Sequence, residues 1–91
     1  MKRAIWKYPL AILDEQIVMM PHGSQILCVQ AQGSTPCLWA MVAPGEPATQ
    51  QRFIRIFGTG HPIDDKMVGE IYIGTFQLSG GALVFHVFEE G

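Results

Sequence analysis

In Gly58-Thr59-Gly60-His61, two glycines flank a hydroxyl donor and a histidine follows them. Nowhere else does the chain concentrate polar and conformationally special residues in this way. Glycines can adopt positive φ and leave backbone N–H groups uncovered. Successive amides turned inward would form a small concave anion site. His61 adds a titratable donor, and Pro62 stiffens the exit of the loop and favours an extended His61. The chemistry expected here is a phosphate or ribose contact through the amides of Gly58 and Gly60, the Thr59 hydroxyl and His61. Arg52 and Arg55, three residues apart in the preceding stretch, fall on opposite faces of a strand, so one of them could supply a charged fork. Trp39, Tyr72 and Phe76 could stack a base, a contact contributing about 1–3 kcal/mol. Simple alternation puts Tyr72, Gly74 and Phe76 on one strand face and Thr75 and Gln77 on the other. Gly74 would let a ligand or another backbone approach closely. The plainer alternatives are a strand-to-loop turn at the glycines and core packing for the aromatics.

The loop is neither a P-loop nor a dinucleotide fingerprint, because the Lys-Ser/Thr ending and the following helix are both missing. The histidines are His22, His61 and His86. His22 lies in a proline–glycine turn, and His86 sits between Phe85 and Val87, where a packed or interface histidine is expected. Asp64 and Asp65 beside His61 raise a metal or hydrolytic possibility, but solvated loop carboxylates are the better reading, since a metal needs at least three ligands and a second shell. No GxSxG nucleophile elbow occurs. The expectation is a binding protein without catalytic residues, metal or cofactor.

The elements that must position these residues are strands. Ala4–Tyr8, Gln16–Met20, Gln25–Ala31, Cys37–Val42, Gln51–Phe57, Glu70–Leu78 and Ala82–Phe88 read as seven short runs of alternating or wholly apolar residues. Turn clusters separate them, including Pro21–Ser24, Gln32–Pro36 and the hairpin turn Ser79–Gly81. Ala43–Gln50 reads as an exposed loop, and Asp64–Val68 has room for one helical turn. No stretch has a sustained helical period. The fold expected is all-β: a single domain over residues 1–91, a small β-sandwich or partly open barrel of about seven antiparallel strands.

Composition adds the oligomeric expectation. The chain has 91 residues, of which 48% are hydrophobic and only 15% charged. So small a domain has little interior for that much apolar surface, which favours a homo-oligomer of closed symmetry. A net charge of −2 gives no global field for nucleic acid. Cys28 and Cys37 lack CxxC spacing and read as buried free thiols. No apolar run approaches the roughly 18 residues of a membrane helix, and no apolar leader follows Lys2 and Arg3. A cytoplasmic protein is expected.

Ile5–Tyr8 (IWKY), Gln25–Gln30, Leu38–Ala40, Gly58–Ile63 (GTGHPI), Tyr72–Gln77 (YIGTFQ) and Gly81–Glu89 (GALVFHVFE) together resemble a group of short phage-encoded proteins described as a domain of unknown function. The likeness spans nearly the whole chain and implies a phage origin and the cytoplasm of an infected bacterial cell. In size and chemistry such a protein is similar to viral sponge proteins, oligomers that sequester nucleotide-derived immune signals. The function expected from this likeness is capture, without cleavage, of a cyclic dinucleotide or cyclic ADP-ribose species at a subunit interface. The alternatives are a structural or protein-interaction module and a small nucleotide hydrolase using His61 with Asp64 or Asp65.

Overall fold

The structure is a computed structural model, and it describes residues 2–64 and 69–91. Seven strands occur among them: β1 (Ala4–Pro9), β2 (Glu15–Pro21), β3 (Gln25–Gln32), β4 (Thr35–Val42), β5 (Thr49–Gly58), β6 (Glu70–Leu78) and β7 (Leu83–Glu90). All pairings are antiparallel. They build a three-stranded sheet ordered β1-β4-β3 and a four-stranded sheet ordered β2-β5-β7-β6. The strands expected from alternation are all present, most of them a residue or two longer than expected. The helical turn expected over 64–68 falls on positions that include 65–68, outside the described residues.

Burial follows the period of two that a half-covered strand requires. In β5, Ile54 and Ile56 are buried while Phe53 is exposed. The same inner face continues as Val18 and Met20 on β2, Val87 (the partner of Ile56) on β7 and Phe76 on β6. Val29, Leu38, Ala40 and Val42 of the other sheet complete the core. β4 is the middle strand of its sheet and is buried along most of its length, as its apolar run on both faces implies. Cys37 is buried and Cys28 half-buried, and both are free thiols.

Two features lock the layers together. A bulge between Tyr72 and Gly74 breaks the β6–β7 register. Beyond it β6 presses against β3: a Cβ on Gly74 would stand 3.1 Å from Val29 Cγ1 and 3.9 Å from the Val29 backbone nitrogen. The close backbone approach expected at Gly74 is therefore that of β3. The second feature is Arg52, which points inward from β5. Its guanidinium pairs with both carboxylate oxygens of Glu89 and donates to the Ser24 carbonyl at 2.6 Å. One cation thereby ties β5 and β7 to the turn that leads into the other sheet.

Candidate functional site

The outward face of the four-stranded sheet carries a row of polar side chains, some of the expected site residues among them in a different combination. Thr59 follows directly on β5, His86 lies on β7, and Tyr72 and Thr75 lie on β6. Their side chains form one hydrogen-bonded chain across the sheet. Thr59 Oγ1 stands 2.7 Å from His86 Nε2, His86 Nδ1 stands 3.0 Å from Thr75 Oγ1, and Thr75 Oγ1 stands 2.5 Å from the Tyr72 hydroxyl. Thr75 and His86 are direct cross-strand partners, which is why the imidazole reaches a hydroxyl on each side.

An aromatic row runs beside this chain. The Tyr72 ring lies 5.3 Å from Phe88, Phe88 meets Phe57 edge-on at 5.9 Å, and Phe57 meets His61 edge-on at 6.0 Å. Such spacings are those of favourable aromatic pairs. Phe57 is buried by its neighbours, whereas Tyr72 remains 56% exposed. Tyr72 thus presents an open ring above a fixed hydroxyl.

Charge on this face is concentrated at Arg55. Its Nη1 is 2.7 Å from Glu70 Oε1, and Glu90 and Glu15 approach the same guanidinium at 3.6 and 3.7 Å. Around one cation stand three carboxylates, so the local field is negative. Toward β2 the face opens into a depression of about 360 Å³, lined by Glu15, Gln16, Ile17, Phe53, Ile54 and Arg55.

The residues expected to bind divide accordingly. Thr59, His61, Tyr72 and Arg55 share this face. Gly58 is the last residue of β5, paired with Phe85, and Gly60 alone of the two glycines has positive φ, at 85°. The Thr59 amide donates to Val84 O on β7 and the His61 amide to Gly58 O within the turn, so both N–H groups are engaged. The Thr59 and His61 amides are thus not available to an anion, while the expectation for the amides of Gly58 and Gly60 is left where it stood. Arg52 faces inward and is held by Glu89. Phe76 is buried against Phe85, their rings stacked at 5.2 Å. Trp39 belongs to the other sheet, opposite Lys7 and Cys28. Asp65 lies outside the described residues. No group of three metal-ligating side chains occurs among the described residues, and none of their helices is long and apolar enough to cross a membrane.

His86, Thr75, Phe57 and Phe88 are the residues of this face that sequence reasoning did not assign to the site. The bulge explains the omission. It adds one residue to β6 between Tyr72 and Gly74, which brings Tyr72 onto the face of Thr75 and turns Gly74 and Phe76 inward. Simple alternation therefore put Tyr72 with the wrong neighbours, and Gly74 was the one available signal of an interrupted strand.

Neither the curated proteins nor the solved structures yielded a match to this chain. The profile of one family, a domain of unknown function (DUF7352), matches residues 1–91, and the chain belongs to that family.

Proposed function

We propose that the protein is a phage anti-defence binding protein that sequesters a nucleotide-derived immune signal, a cyclic dinucleotide or cyclic ADP-ribose species, without cleaving it. It works as a homo-oligomer in the cytoplasm of the infected cell. The observation that carries the binding reading is the Tyr72–Thr75–His86–Thr59 chain beside an open aromatic ring. A base stacks on Tyr72, while the hydroxyls and imidazole serve ribose or base-edge groups, a division suited to a nucleoside. The phage setting rests on the resemblance of the sequence segments quoted above, and the sponge role on an analogy of size, origin and chemistry.

Phosphate has a smaller part than the glycine loop first suggested. Both arginines already have carboxylate partners, and the amides of Thr59 and His61 are engaged. The ligand is held chiefly by its base and sugar, with its phosphates directed away from Glu15, Glu70 and Glu90 toward solvent. Affinity should accordingly depend little on ionic strength, unlike that of a cationic phosphate site.

Incubation with a panel of cyclic dinucleotides and cyclic ADP-ribose species, followed by filtration, heat denaturation and analysis of both fractions, tests the reading. Depletion followed by release of the intact compound is the expected result. A chemically altered product would instead favour the hydrolase reading, in which Thr59 and His86, 2.7 Å apart, become a candidate nucleophile–base pair beside His61. No depletion of any compound would overturn the reading in favour of a protein-interaction module.

A further inference from the structure

We infer that the free edge of β2 is the surface through which two copies of this chain associate, pairing antiparallel about Ile17 into one continuous eight-stranded sheet. The inference gives the oligomer of the preceding section an interface, and it stands independently of the ligand.

Among the described residues β2 is an edge strand, paired only with β5. Two bonds outside the regular ladder reveal which of its backbone groups are unused. The Ile56 amide donates to Asp14 O, and the His22 amide donates to Ala48 O. In an antiparallel pair, bonds so placed flank the pairs that exchange none between themselves, here Glu15–Arg55 and Pro21–Thr49. By alternation, Glu15, Ile17 and Met19 all turn their N–H and C=O groups away from β5 and toward the open edge. Pro21 ends the run, because it has no N–H and its carbonyl accepts from Ser24.

The side chains along this edge do nothing to discourage pairing. Natural edges are commonly blunted by lysine, an inward charge, a bulge or an internal proline. From Gln16 to Met20, β2 carries no charge and no proline, and no bulge interrupts its register with β5. Ile17 and Met19 are about half exposed, at 52% and 50%, and Phe53 beside them and Leu13 just before the strand are exposed as well.

A second copy fits this edge because the edge is self-complementary. With Ile17 on the two-fold axis, Ile17 faces Ile17, and Glu15 of each copy faces Met19 of the other. All three residues then exchange both backbone bonds, giving six new hydrogen bonds with no like charges opposed. Ile17 and Met19 of both copies form one apolar stripe that Phe53 extends on each side. The depression lined by Ile17 and Phe53 becomes enclosed on its open side. Such a contact is isologous and closed, and it withdraws the β2 edge from further pairing.

The ligand face lies on β5, β7 and β6, one to three strands from β2, on the order of 7–17 Å from the axis at ordinary strand spacing. Each copy therefore carries its own complete site.

Sedimentation equilibrium of the full chain without ligand tests the interface. Wild type is expected at twice the mass of one chain. Ile17→Lys, which opposes two ammonium groups on the axis, is expected at the mass of one chain. So is Ile17→Pro, which removes only an N–H directed at the free edge and leaves the β2–β5 ladder intact. Far-UV circular dichroism unchanged from wild type confirms that each variant is folded. Hydrogen exchange gives a second reading on the unmodified protein: the Ile17 and Met19 amides should become at least tenfold more protected as concentration rises. A monomeric wild type, or folded variants that stay dimeric with the edge amides exchanging freely, would overturn the inference. Pairing of this edge only with an unrelated protein would overturn it equally.

Discussion

The Tyr8 hydroxyl is buried with no hydrogen-bond partner among the described residues, and burial raises its pKa above 10. An unpartnered hydroxyl contributes a desolvation cost and no compensating bond. Tyr8→Phe should therefore leave stability unchanged or raise it by up to about 1 kcal/mol, read as a shift in the urea midpoint. The same residue makes stability pH-dependent in a known direction. The unfolded chain releases the phenol proton near its ordinary value while the folded chain still holds it. Stability is thus unaffected below about pH 10 and falls as pH rises through the folded value. In Tyr8→Phe this part of the alkaline loss should vanish. Unchanged alkaline behaviour would place the tyrosine's hydroxyl in contact with water.

At Thr75 the residue scale meets function. Thr75→Val retains the β-branched shape that suits a strand and removes only the hydroxyl between Tyr72 and His86. Ligand affinity should fall about tenfold, which corresponds to about 1.4 kcal/mol, within the range of one net hydrogen bond. Thermal stability should barely change. Tyr72→Ala should cost more, about 1–3 kcal/mol of binding, if its ring is the stacking platform.

Among the elements, β6 decides what the four-stranded sheet presents. Its bulge assigns Tyr72 outward and Gly74 inward, and Gly74 admits β3. Gly74→Ala drives a methyl against Val29, for which about 1–3 kcal/mol of destabilisation is expected. Val29→Ala should cost less in the Gly74→Ala background than in wild type, a coupling that denaturation of the four proteins in the cycle measures. Additive losses would show that β3 and β6 do not bear on each other at this point. The bulge also marks where the sequence stopped being legible. In β5 alternation assigns the faces correctly, Ile54 and Ile56 inward and Phe53 and Arg55 outward, whereas β4 is apolar on both faces and β3 carries a register shift of its own between Ile26 and Cys28. In β6 the inserted residue is chemically ordinary, and its effect on register emerges only when β7 is paired beside it. The site was missed for the same reason. Thr59, His61 and Tyr72 were singled out by type, but His86 and Thr75 become neighbours of Thr59 and Tyr72 only through cross-strand pairing. The arginines illustrate the converse. Their opposite faces were evident from spacing, whereas their carboxylate partners, Glu89 for one and Glu70 for the other, lie many residues away in sequence.

For the whole molecule, Arg52 and the β2 edge act in opposite directions, one holding the layers together and the other leaving the sheet open. Arg52 and Glu89 are both largely buried, with 13% and 12% of their side-chain surface exposed. Arg52→Ala would strand the Glu89 carboxylate, and a loss of about 3–5 kcal/mol is expected in chemical denaturation. A loss under 1 kcal/mol would mean that Glu89 finds water or another partner. The apolar composition is accommodated in part by the two-layer core and in part by the half-exposed side chains of β2, and the latter are what association would cover. If both copies keep complete sites, ligand stoichiometry is one per chain and the Ile17→Lys monomer binds as wild type does.

Nucleotide recognition by the outer face of β5, β7 and β6 is the property from which the ligand predictions above follow. Equilibrium depletion of cyclic dinucleotides and cyclic ADP-ribose species by wild type and Thr75→Val, run in parallel, addresses this directly. The prediction is capture of one compound by wild type, its release unaltered on heating, and capture about tenfold weaker by the folded variant. Equal capture by the two proteins, or capture by neither, would contradict it.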